Sequence, residues 1–62
     1  MTDHEVRRSI EHEVVFLRLA AIELRRIAER APEVGDELRH MAARFETDAE
    51  ELEKRFSGFR GS

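Results

Sequence analysis

Cysteine, tryptophan and tyrosine are absent from this 62-residue chain, and proline occurs once. Without cysteine the chain can form neither a disulfide nor a thiolate zinc site. The longest apolar stretch, residues 14–22, is interrupted by Arg18 and is too short to span a bilayer. The first residues also lack the apolar core of a secretion signal, so we expect a cytoplasmic protein that makes no membrane contact.

Several chemical signatures are missing as well. The sequence has no glycine-rich phosphate loop, and no serine or lysine nucleophile stands beside a base. The net charge is -3, so there is no broad basic excess of the kind that nucleic acid requires. The sequence therefore gives no positive support for an enzyme but leaves that question open, and we do not expect nucleic acid as the main partner.

The positions of proline and its neighbours divide the chain into two helical segments. Thr2 and Glu5 have the spacing of a capping box at a helix N-terminus. Helix-forming residues then continue without glycine or proline until Ala31. Because Pro32 disfavours the helical conformation at the residue before it and suits the first turn of a helix, one helix ends here and another begins.

Two helices of similar length with a tight connection form an antiparallel hairpin. We predict one all-α domain over residues 1–62, with helices at about 3–30 and 32–56. Ser57 and Gly58 favour a stop, so 57–62 is predicted to be a frayed tail.

Apolar residues of helix 1 cover more than one side of it. Projected at about 100° per residue, one stripe comprises Val6, Ile10, Val14, Leu17, Ala21, Leu24 and Ala28. A second patch on the opposite side comprises Val15, Leu19 and Ile22. Helix 2 has a single stripe of Val34, Leu38, Met41, Phe45, Ala49, Leu52 and Phe56. A lone hairpin would leave the second patch in water and forgo about 1.5–3 kcal/mol for each large side chain.

The two apolar sides of helix 1 predict self-association. The simplest assembly is a homodimer in which two hairpins form a four-helix bundle, and the alternative is a larger assembly stacked through the second patch. The predicted oligomer interface comprises Val14, Val15, Leu17, Leu19, Ala21, Ile22, Leu24, Phe45 and Leu52.

Glu13 is a charged residue within the wide apolar face of helix 1, between Ala20 and Leu24 in angle. A carboxylate in that position is expected to be paired, protonated or bound to a metal. The ordinary interpretation is an ion pair at the edge of the bundle, with Arg44 or with an arginine of the partner. The alternative is a metal site.

The second helix resembles ferritin-like and rubrerythrin-like hairpins, each half of a four-helix bundle. Their pattern Leu-x-x-Leu-Ala-x-x-Glu-x-x-His-Ala-x-x-Leu is matched at Leu38, Met41, Ala42, Ala49 and Leu52. In those proteins a helix-one Glu and a helix-two Glu-x-x-His bind two irons. The resemblance gives Glu13 the first role, whereas Phe45 and Asp48 replace the Glu and the His. It therefore implies an incomplete site of Glu13 and Asp48, shared between copies, for iron or another divalent metal.

A literal Glu-x-x-His occurs at Glu37 and His40. One helical turn brings the two side chains to one side, as a metal requires, but that side lies away from the apolar stripe. A metal bound there would have to bridge two hairpins of a larger ring.

These observations predict a small self-associating helical hairpin that acts as a structural or protein-interaction module. One alternative is a ferritin-like carboxylate metal-binding protein with its site at a subunit interface. The second alternative is an RNA-binding hairpin dimer, for which the candidate residues are Arg7, Arg8, Arg25 and Arg26.

Overall fold

A computed structural model describes the backbone of residues 3–60 and the side chains of residues 4–56. Helix α1 spans Asp3–Arg30, a short 3-10 helix spans Pro32–Val34, and helix α2 spans Gly35–Arg60. Two long helices joined by a short linker confirm the predicted all-helical hairpin.

The connection between the helices is set by the proline. Ala31 adopts φ -126° and ψ 72°, outside the helical region, as the residue before a proline should. Its amide donates to the carbonyl of Ile27 at 2.9 Å, and the amide of Val34 donates to the carbonyl of Ala31 at 3.1 Å. These hydrogen bonds satisfy backbone groups at both helix ends, and the chain reverses its direction within one 3-10 turn.

The C-terminal end of the hairpin differs from the prediction. Helix α2 continues to Arg60, beyond the predicted end near Phe56. Serine and glycine weaken a helix without terminating it, since glycine costs about 1 kcal/mol relative to alanine. The predicted capping residue Thr2 and tail residues 61 and 62 lie outside the described residues.

Two ion pairs join the helices and show their antiparallel direction. Arg18 of α1 donates to Glu53 of α2, and Arg25 donates to Glu46. Seven residues forward in α1 therefore correspond to seven residues backward in α2, as antiparallel helices require. We call the side of the hairpin that carries these four residues the ionic edge.

The line of contact between the helices is built mainly from small residues. The buried residues are Val14, Ala21 and Ala28 in α1, and Gly35, Ala42, Ala49 and Phe56 in α2. Successive members are seven residues apart, or about two turns, so they form a continuous line along each helix. We call this line the inner seam. The helices come close together at its linker end, where a Cβ built on Gly35 would lie 3.3 Å from the carbonyl oxygen of Ala28.

Helix α2 is turned about its axis relative to the predicted stripe, which omitted Ala42. Ala42 is 0% exposed, whereas Met41 and Val34 of the predicted stripe are 45% and 41% exposed. Side chains as large as Phe45 do not fit between helices that pack through alanine, so they lie to one side of the contact line.

The hairpin is a single layer. Its Cα atoms extend over 45 × 17 × 12 Å. Its accessible surface is 4989 Å², whereas a compact folded protein of this mass exposes about 4,200 Å².

Candidate interaction surfaces

A broad apolar surface lies on the side of the hairpin away from the ionic edge. In both helices each ion-paired residue lies four positions after an inner-seam residue. A second set of residues lies three positions after an inner-seam residue. Four positions turn the helix to one side of the seam and three positions turn it to the other, so the two sets lie on opposite sides. The second set comprises Leu17 and Leu24 in α1 and Leu38, Phe45 and Leu52 in α2, all half-buried. Ile10, Val34 and Met41 extend it. We call these eight residues the open face.

The open face is covered on one side only, by the opposite helix. Among the described side chains no large one is fully buried. The buried apolar side chains are four alanines together with Val14 and Phe56. The open-face leucines and Phe45 are therefore only partly removed from water. Neither described helix is long and apolar enough to cross a bilayer.

The residues predicted to form the oligomer interface fall into three groups. Leu17, Leu24, Phe45 and Leu52 lie on the open face. Val15, Leu19 and Ile22 point outward from α1 and are 55%, 60% and 46% exposed. We call these three residues the outer patch. Val14 and Ala21 differ from the prediction, because α2 of the same chain already covers them and no second copy can reach them.

Glu13 is exposed and borders a shallow depression of the open face. The depression is lined by Glu13, Leu17, Asp48, Glu51, Leu52 and Arg55. The arginine in it is thus Arg55, and the predicted Arg44 does not line it. Gly35 approaches Ala28 and Arg7 lies over Phe56, so residues whose numbers add to about 63 lie level, and Asp48 is two residues, or ~3 Å along the axis, from the level of Glu13. The two carboxylates of one hairpin therefore lie at nearly the same level of the depression, one on each helix.

Glu37 and His40 are both exposed on the outer side of α2. Nearby, Asp36 accepts a hydrogen bond from Arg39 at 2.9 Å. Among the described residues, no three or more histidines, aspartates or glutamates are grouped so that they could hold a metal ion. The Glu37 and His40 pair therefore supplies at most two ligands from one hairpin.

The ionic edge contains a bidentate ion pair. The two guanidinium nitrogens of Arg25 donate to the two carboxylate oxygens of Glu46 at 2.6 and 2.9 Å. These hydrogen bonds lower the pKa of Glu46 below its ordinary value and raise the pKa of Arg25. The fork geometry holds the two helices in one register.

Three of the four arginines proposed for RNA binding contact other side chains of their own hairpin. The Arg7 guanidinium lies 5.9 Å from the centre of the Phe56 ring, in the range of a cation–π contact. Arg25 binds Glu46, and a guanidinium nitrogen of Arg26 lies 3.9 Å from a carboxylate oxygen of Glu23. Of these contacts, the bidentate pair of Arg25 with Glu46 reduces the positive charge that is available to RNA.

Two structural roles were not predicted. Arg7 lies seven residues before Val14, so it extends the inner seam at the open end of the hairpin, and its Nε is buried without a hydrogen-bond partner. Ala42 is an inner-seam residue of α2 and is 0% exposed. The sequence signal for both was the recurrence of small residues at every seventh position from Ala21 to Ala49. A hydrophobicity scale ranks these small residues below the leucines.

These surfaces define a helical hairpin with one half-covered apolar face. Comparisons with models of known protein families, with characterised proteins and with solved structures give no significant match.

Proposed function

We propose that the chain is a self-associating structural or protein-interaction module. Two hairpins pack their open faces together as a homodimeric four-helix bundle. The charged outer sides of that bundle then bind another protein. In this proposal the ferritin-like resemblance concerns helix packing alone, because the chain supplies half of a four-helix bundle.

One observation carries this proposal: large apolar side chains of the open face are half-buried in one copy. Leu17, Phe45 and Leu52 are each flanked by the opposite helix and open on the remaining side. Helices that pack through alanine leave no interior for them. A second hairpin laid on the same face would complete two layers around one core, which is the usual construction of a domain.

The test measures solution mass by light scattering for the full chain and for two charge-introducing variants. We expect a mass of twice 7.3 kDa or a multiple of it. Phe45→Glu places a carboxylate in the open face, so it should dissociate the bundle or unfold it. Ala43→Glu changes an exposed alanine on the outer side of the same helix and should leave the mass unchanged.

A single-copy mass with a cooperative unfolding transition at high dilution would overturn the proposal. An assembled Phe45→Glu variant would show that the copies meet elsewhere. To test for a protein partner, the purified assembly is mixed with a candidate partner and charge-reversing variants of the outer sides are compared. A partner that binds all of them equally does not use those sides.

A second candidate is a carboxylate metal site at the subunit interface. It is favoured because Glu13 and Asp48 border one depression of the open face, where another copy would add its own pair. Oxygen ligands of this kind suit hard divalent ions, including ferrous and manganous ions.

Calorimetric titration with ferrous, manganous or zinc ions tests the metal candidate. We expect saturable binding that is lost in Glu13→Gln and retained in His40→Ala. The reverse result would move the site to Glu37 and His40. No binding, or binding that neither substitution changes, would remove the metal function while leaving the bundle intact.

A further inference from the structure

The outer patch is the centre of a symmetric charge pattern along the back of α1. From the N-terminus, that surface carries Arg8, Glu11, Val15, Leu19, Ile22, Arg26 and Glu29. All seven are exposed in the hairpin. Read outward from Leu19, each direction gives an aliphatic residue and then two charges, and the charges on one arm are opposite in sign to those on the other.

Such a pattern is complementary to itself when two helices run antiparallel. We propose that α1 of one hairpin packs through this surface against α1 of another copy, with a two-fold axis near Leu19. Val15 then faces Ile22 of the second copy, the axis passes between Arg18 and Leu19, and the two Leu19 side chains lie next to each other across it. Glu11 faces the partner's Arg26, and Arg8 faces the partner's Glu29.

The charges select this direction and register. A parallel pairing would place every charge opposite an identical one. Sliding the antiparallel pair by one turn places Arg8 opposite Arg26, and sliding it the other way places Arg26 opposite Val15. Like charges brought together oppose association, so the centred register is the complementary one.

Neighbouring charges are compatible with the contact. Arg18 lies beside the two-fold axis, but its guanidinium is bound to Glu53 of its own hairpin. The Arg26 and Glu23 side chains are 69% and 63% exposed, and their nearest charged atoms are 3.9 Å apart. Because this ion pair is long and exposed, Arg26 can turn to a closer partner. The spacing of Val15, Leu19 and Ile22, four and then three residues, is that of a helix–helix seam.

This inference rests on the proposed function, because the open face is taken by the first partner. Each copy then has two separate two-fold contacts, one through the open face and one through the back of α1. Such an assembly contains at least four copies, and it closes if the two axes are compatible.

The closing experiment reverses charges singly and then together. Arg26→Glu and Glu11→Arg each place like charges opposite one another, so the mass should fall from at least four copies to two. The double variant restores attraction with both signs exchanged, and the larger mass should return. Glu50→Arg reverses an exposed carboxylate on α2, and the assembly should be unaffected.

A cysteine scan reads out the geometry directly, since the natural chain has no cysteine. Leu19→Cys places two thiols opposite each other, so mild oxidation should link two copies. Arg26→Cys places the equivalent residues about 21 Å apart, and no link should form. Equal cross-linking of both variants would overturn the antiparallel pairing.

The outcomes separate the two proposals. A wild-type dimer that no charge reversal changes, and that Phe45→Glu dissociates, refutes the back-to-back contact and leaves the open-face bundle standing. A dimer that survives Phe45→Glu but cross-links through Leu19→Cys refutes the open-face bundle and leaves the contact through α1 standing. A double variant that fails to recover the mass lost in the single variants refutes the charge pairing.

Discussion

At the scale of single residues, Gly35 is a position where an added methyl group would have little room. A Cβ there would lie 3.3 Å from the carbonyl oxygen of Ala28 and 3.2 Å from the guanidinium of Arg39. The arginine can move, whereas the backbone carbonyl cannot. The backbone of Gly35 is ordinary, with φ -62°, so the glycine serves close approach and not an unusual conformation.

Gly35→Ala is therefore expected to stabilise the hairpin by less than the ~1 kcal/mol that helix propensity alone provides. The new methyl group must push the helices apart at the linker end. Urea unfolding monitored by circular dichroism measures the difference. Thr47→Ala is the control for helix propensity without a contact between the helices. Thr47 is exposed, and its hydroxyl donates to the carbonyl of Ala43 within the same helix. A full propensity gain at Gly35 would show that the seam is loose there.

Glu46 makes a contribution to stability that depends on pH. Its pKa is lowered in the folded state by the hydrogen bonds from Arg25. A lowered pKa stabilises the fold above the ordinary carboxylate value, and this stabilisation is lost as the pH falls through the folded value.

We therefore expect Glu46→Gln to melt below the wild type at pH 7, with the two melting curves converging below about pH 4. Thermal unfolding across the pH range measures the gap. Glu50→Gln, a matched change on the outer side of α2, should give no comparable gap. A gap at Glu46 that persists in acid would assign its effect to packing.

At the scale of the helices, the inner seam works because its members are small. Ala42 is fully covered, whereas the neighbouring Ala43 is exposed. Ala42→Leu should separate the helices and destabilise the protein by about 1–3 kcal/mol, since overpacking a close contact costs that much. Ala43→Leu adds the same atoms on the outer side and should be nearly neutral. Chemical denaturation of both variants compares them, and equal effects would refute the seam.

The helices themselves were predicted from sequence, whereas the rotation of α2 was missed because the prediction followed hydrophobicity. Pro32 determines the break, and its effect on Ala31 is local. Which side of α2 faces α1 depends on how closely two backbones can approach, and that depends on residues of both helices together. Leu38 and Phe45 dominate the hydrophobic pattern, yet Ala42 lies at the contact because it is small. Hydrophobicity locates an apolar side of a helix but not the line of closest packing.

At the scale of the whole molecule, the candidate surfaces were predicted in part. The outer patch followed from the angular positions of Val15, Leu19 and Ile22, which depend on helix geometry alone. The surroundings of Glu13 depend on how the two helices lie against each other, and therefore on residues of both helices. No pattern within one helix indicates which residue of the other helix lies level with it, so Arg55 was not predicted beside Glu13.

Association predicts that thermal stability depends on protein concentration. For a dimer that unfolds to separate chains, each tenfold dilution weakens the folded state by about 1.4 kcal/mol. With ΔS of unfolding near 2.1 cal/mol/K per residue over two chains, Tm should fall by about 5 °C for each tenfold dilution. Calorimetry and circular dichroism together cover a hundredfold range, over which the expected fall is about 10 °C. A hairpin stable as one copy would melt at the same temperature throughout. That result would overturn self-association and leave the open face exposed in the folded chain.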